Sequence, residues 1–81
     1  MVVHKKEILQ YCGKVLKRCR QKRGLTQKSL ANLSGVSQQD ICRLENGYNN
    51  PTIATFIAIL NAMDFDFHVV DMDEASSTEN D

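Results

Sequence analysis

The stretch Ser37-Gln38-Gln39-Asp40-Ile41-Cys42-Arg43-Leu44-Glu45-Asn46 concentrates side chains suited to reading another molecule's edge. Glutamine amides and the arginine guanidinium offer paired, coplanar hydrogen-bonding groups. That geometry matches bidentate contacts with adenine and guanine edges in the DNA major groove, which admits one helix. Ile41 and Leu44 are three apart, so on a helix they share an inward face. With that face turned in, Gln39, Arg43 and Asn46 point outward, Gln38 and Cys42 flank them, and Asp40 lies opposite. The first turn of such a helix comes nearest the bases. The expected base-reading set is therefore Gln38, Gln39, Cys42 and Arg43.

Catalysis has little to work with. Cys12, Cys19 and Cys42 show no C-x-x-C spacing and no Cys/His cluster, so neither a disulfide framework nor a metal site is supported. Cys12 and Cys19, two helical turns apart, read as small apolar core residues. Cys42 has no histidine neighbour in sequence and only Arg43 beside it, a thin basis for a redox role. His4 and His68 are isolated, and no phosphate-cradling glycine loop is present. The expectation is a protein that binds rather than catalyses, with no cofactor and no metal.

The formal net charge of zero conceals a division. All ten Lys and Arg precede residue 51, leaving residues 1–50 at +7, and 51–81 carries −7. Such asymmetry suits a polyanion-binding module joined to an acidic segment, although a merely solvated basic helix face would give the same balance.

Several short elements must position these residues. An 81-residue chain holds one domain, with a core small enough that a second copy would contribute to its stability. No apolar run approaches the ~18–20 residues of a membrane span, and the start, Met1 to Glu7, lacks a leader's apolar core and cleavage site. A cytosolic or nucleoid location with reduced thiols is expected, and no membrane partner. Ile8, Cys12, Val15, Leu16 and Cys19 follow helical spacing over 7–23, and Gly24 is the expected left-handed end. Thr26, Ser37 and Thr52 are N-cap residues for three further helices. The second holds Leu30, Ala31 and Leu33, the third runs from Gln38 to about Glu45, and the fourth carries Ile53, Phe56, Ile57, Ile59, Leu60 and Met63. Two short helices joined through Gly35 make a helix-turn-helix, with Ala31 allowing close approach and Val36 plugging the corner.

Phe65, Phe67 and Val69 alternate with Asp66 and His68, a strand pattern over 65–70. A lone strand leaves its backbone groups unpaired, so it must find a partner, in a second copy or back on its own domain. The phenylalanines read as core or dimer interface rather than a base-stacking platform. Residues 71–81 are acidic and rich in small residues, and are expected to lack order.

Residues 20–51, and more loosely 13–63, resemble the Cro/C1-type (XRE) helix-turn-helix family. The matching positions are Arg20, Gly24-Leu25-Thr26-Gln27, Leu30-Ala31, Gly35-Val36-Ser37, Ile41, Glu45-Asn46-Gly47 and Pro51-Thr52. Ser37-Gln38-Gln39 is similar to the start of the recognition helix in lambdoid phage repressors, and the helix–strand–tail arrangement at the C-terminus resembles HipB-type antitoxins. The resemblance implies an all-α, four- to five-helix, lambda-repressor-like domain over 1–64. It also implies a dimerisation strand over 65–70, using Phe65, Phe67 and Val69, and leaves 71–81 as the acidic tail. By the same resemblance, Gln27 holds one DNA phosphate, and Asn46 with the amides near Gly47 holds another. Lys28, Ser37, Tyr48 and Asn49 complete the expected phosphate contacts, with covering the core as the other reading for Tyr48. Arg20 and Glu45 match a pair that ties the first helix to the end of the third. Asp40 and Cys42 depart from the family's usual Ser or Thr. The function so implied is a sequence-specific double-stranded DNA-binding transcriptional regulator, a homodimeric repressor occupying an operator. The alternative is an antitoxin that neutralises a partner toxin and autoregulates its operon.

Overall fold

The computed structural model describes residues 4–75, with side chains for 4–73. Its helices are α1 (Lys5–Lys22), α2 (Gln27–Ser34), α3 (Gln38–Glu45), α4 (Ile53–Ala62) and the single turn α5 (Met72–Ala75). Three starts are fixed by local hydroxyl chemistry. Thr26 Oγ1 accepts from the Ser29 amide at 3.0 Å, Ser37 Oγ from Asp40 at 3.1 Å, and Thr52 Oγ1 from Thr55 at 3.1 Å. Each satisfies one amide that the first helical turn leaves without a partner. Gly35, at φ 78°, ends α2 and donates to Ala31 O at 2.9 Å, which makes the tight turn into α3.

The core is Leu16, Leu30, Ile41, Leu44, Ile59, Leu60 and Met63, with Cys19, Leu25, Ala31, Val36, Phe56 and Phe65 packed around it. One residue comes from α2 and two from α3, so these short helices are stable only against α1 and α4. The apolar stripes are broader than the core they serve. Ile8 on α1 and Ile53 on α4, both expected inside, are exposed, and with Phe67 they line an open apolar surface. No helix among the described residues is long and apolar enough to cross a membrane.

The C-terminal segment departs from its expected form. Residues 65–70 carry no strand and have no ladder partner among the described residues. Among the described residues there is no second strand for them to pair with. Phe65, expected in the core or at a dimer interface, packs against the domain's own core. The cause is local: Asp64 takes φ 62° after α4, and the Phe65 amide donates back to Leu60 O at 2.9 Å. Arg23 then closes over the turn. Its Nε donates to Met63 O at 2.8 Å, Nη2 to Asp64 O at 3.3 Å, and its guanidinium lies 4.1 Å from the Phe65 ring centroid. Phe67 and Val69 are exposed, Val69 by 91%. In the acidic stretch, 72–75 forms the turn α5, and 76–81 lies outside the described residues.

Candidate nucleic-acid interface

The recognition surface follows from which side of α3 is buried. Ile41 is fully buried and Leu44 nearly so, which turns Gln38, Gln39, Cys42 and Arg43 outward into solvent. These four share one concave surface with Gln27, Asn46 and Tyr48, a residue 79% exposed. Asp40 lies on a different surface, with Val36, Leu44, Asn49 and Pro51. The acid that departs from the family pattern thus sits away from the base-facing side. Asn49, expected beside a phosphate, is half-buried on Asp40's side. Lys28 and Ser37 are exposed, and Ser37 Oγ is occupied as an acceptor by the Asp40 amide.

A charged knot beneath this surface holds three helices in register. Arg20 Nε donates to Glu45 Oε2 at 2.6 Å, and Arg20 Nη2 to Glu45 Oε1 at 3.0 Å. The third nitrogen of the fork, Nη1, reaches Leu25 O at 2.8 Å. Glu45's hydrogen bond is the leading cause holding the Arg20 guanidinium above its usual pKa, outweighing the opposite pull of burial. The carboxylate is 3% exposed and the guanidinium side chain 12%, so water screens the pair little.

Glu45 has a third donor, which the sequence did not suggest. Gln27 Nε2 hydrogen-bonds to Glu45 Oε1 at 3.1 Å, so one amide hydrogen expected on a phosphate is committed inside the protein. The second amide hydrogen and Oε1 remain for an outside partner. The end of α3 departs more sharply. The Asn46, Gly47 and Tyr48 amides donate to Cys42 O, Leu44 O and Arg43 O, and Asn46 Nδ2 donates to Cys42 O at 2.8 Å. The backbone amides expected to hold a second phosphate near Gly47 are therefore used to close the helix. Side chains of Asn46 and Tyr48 still face the groove.

Two glycines bring α1 against this end of α3. A Cβ on Gly13 would stand 2.7 Å from Glu45 O, and one on Gly47 would stand 3.0 Å from Gln10 Cγ. Gly13 carried a signal that sequence reasoning passed over. A glycine in mid-helix costs about 1 kcal/mol relative to alanine, so its presence marks a place where another backbone comes close.

A short α2, a tight Gly35 turn and an α3 with its polar side free define a helix-turn-helix unit. The helix-turn-helix (HTH_3) family model matches residues 16–69, and the chain belongs to that family. Among its relatives is antitoxin HipB of Escherichia coli K12, 38% identical over 66 residues, covering 79% of this chain and 75% of HipB. An uncharacterized HTH-type transcriptional regulator of Haemophilus influenzae is 46% identical over 41 residues, 51% of this chain and 42% of that protein. Among solved structures, an HTH_3 family transcriptional regulator from Vibrio cholerae superposes with a TM-score of 0.73 at 31% identity. That match covers 76% of this chain and 35% of the Vibrio one. A chain of the HipA-HipB-O2-O3 complex superposes with a TM-score of 0.66 at 28% identity, covering 89% of this chain and 96% of that one.

Proposed function

We propose that this protein is a sequence-specific double-stranded DNA-binding transcriptional regulator that represses by occupying an operator as a homodimer. The observation that carries this reading is the single concave surface on which Gln38, Gln39, Cys42 and Arg43 stand clear of solvent-excluded Ile41 and Leu44. Gln38, Gln39 and Arg43 read base edges, Cys42 contributes an apolar contact, and Gln27, Lys28, Ser37, Asn46 and Tyr48 contact the backbone. The chain acts by binding, without catalysis, in the cytosol or on the nucleoid.

Dimerisation is supported by the apolar surface that Ile8, Ile53 and Phe67 leave uncovered, continuous with the unpaired segment 67–70. Phe67 and Val69, both exposed, carry the interface beside the partly buried Phe65. Two-fold symmetry then places two half-sites about one helical turn apart. Selecting bound duplexes from a random pool tests the whole reading. A two-fold site with defined spacing is the expected result, and recovery of no preferred sequence overturns it.

A second reading, an antitoxin that neutralises a partner toxin and autoregulates its operon, is favoured by the likeness to HipB over 75% of HipB's length and by the match to a chain of the HipA-HipB-O2-O3 complex. Co-expression with an untagged neighbouring gene product separates the two: stable co-purification supports the antitoxin role, and its absence leaves the repressor.

A further inference from the structure

Asn46 belongs to two concave surfaces at once. One is the base-facing surface of α3, and the other is smaller and lined by Gln10, Lys14, Glu45 and Asn46. The close approaches at Gly13 and Gly47 press α1 against the end of α3 and make these surfaces continuous. The connection after α3, residues 46–52, contains no Lys or Arg, so the surface past the recognition helix has no cation of its own. Helix α1 supplies them there. Lys14 follows Gly13 directly, and Lys17 lies one turn on from Gly13; both are exposed. Neither has an ion-pair partner among the described residues. The carboxylate that shares the concavity with Lys14, Glu45, is already held by Arg20 and Gln27. The acid on this side of α1, Glu7, is seven residues back from Lys14, about 10 Å along the axis.

We propose that Gln10, Lys14 and Lys17 form a phosphate-binding ridge that carries the duplex contact past the end of α3. It would sit on the sugar–phosphate backbone flanking the base pairs read by Arg43. The inference rests on the duplex-binding role of α3. Compact, strongly hydrated ammonium groups on an open helix face suit phosphate oxygens, and such contacts fix register without reading sequence. The ridge replaces the cations that the 46–52 connection lacks.

The test compares Lys14→Gln, Lys17→Gln and a control, Lys22→Gln at the far end of α1, in the full-length protein. Each is titrated against a selected operator and a scrambled duplex of equal length at several salt concentrations. Releasing one phosphate contact should make the slope of log affinity against log salt shallower by about 0.9. Between about 50 and 200 mM salt the ratio of wild-type to variant affinity should then shrink by about 3.5-fold. Lys14→Gln and Lys17→Gln should weaken both duplexes by the same factor, with unchanged melting temperatures, and Lys22→Gln should match wild type. Ethylation interference adds an independent readout: each ridge variant should lose one phosphate from the wild-type pattern. Wild-type slopes for both ridge variants, alongside an Arg43→Ala variant that binds operator poorly, would overturn the ridge and leave the α3 role standing. A wild-type protein that ignores duplex DNA at low salt would overturn both.

Discussion

Arg20 grips Glu45 across the interface between α1 and α3 with two guanidinium nitrogens, at 2.6 and 3.0 Å, while its third nitrogen holds Leu25 O. The same carboxylate accepts from Gln27 at the start of α2. One buried charge thus sets the mutual placement of all three helices around the recognition surface.

Removing either partner strands the other in a nearly dry site. Arg20→Ala or Glu45→Ala should each destabilise the fold by about 3 kcal/mol. For a domain this size that corresponds to a fall in melting temperature of roughly 12 °C or more. The double variant should lose much less than the sum, and calorimetry on the cycle measures the difference. Because Arg20's pKa is raised on folding, its contribution is fully present below the ordinary arginine range and is lost only in strong alkali. Titration of Arg20 should therefore leave stability unchanged through the neutral range.

Gly13→Ala should be far worse than a methyl group suggests. The new Cβ meets the backbone carbonyls of Leu44 and Glu45, which cannot swing aside. Alanine's better helix propensity, about 1 kcal/mol, works in the opposite direction. The clash should prevail, and a lower melting temperature together with weakened DNA binding is expected.

Gln39→Ala and Arg43→Ala should each reduce operator affinity by about 1–3 kcal/mol and relax preference at one base pair per half-site. Anisotropy titrations on a panel of single-substituted duplexes check this. Equal losses on every sequence, random DNA included, would show that these side chains touch only the backbone.

Asp40→Asn should leave base preference unchanged. Asp40 shares its surface with Asn49 and Pro51 rather than with Gln39 and Arg43. Its acid favours the N-terminus of α3 by about 0.3–1 kcal/mol, so a small loss in melting temperature is expected. Specificity profiling of the variant should reproduce the wild-type site.

Arg23→Lys should loosen the domain's C-terminal end despite conserving charge. A lysine cannot reach two carbonyls and cover a ring together, so the contacts to Met63, Asp64 and Phe65 would not all survive. A loss of about 1–2 kcal/mol and faster amide exchange around Phe65 are the expected readings.

Thr26, Ser37 and Thr52 were legible because capping depends on one side chain and an amide three residues away. Ile41 and Leu44 were legible because their spacing leaves only one way to turn α3. What failed to show was tertiary. Nothing local in Gln27 reveals that its amide bends toward Glu45, eighteen residues on. The alternation of 65–70 sorts side chains onto two faces without saying what either face meets, so it could not choose for Phe65 between a dimer interface and the domain's own core, which receives it. Arg23 counted only as one more positive charge, because the carbonyls it holds come from a turn forty residues away.

That turn has a mechanical consequence. With Asp64 in a left-handed conformation and Arg23 bracing Phe65, the chain leaves the domain from a fixed origin and in a fixed direction. A handle anchored so firmly transmits orientation. Lengthening the chain by one residue between Leu60 and Phe65 would break the Phe65 hydrogen bond to Leu60 O or the Arg23 contact, and move that origin. In a two-copy assembly held through that handle, the rotational phase between the two α3 helices is set there, far from any base.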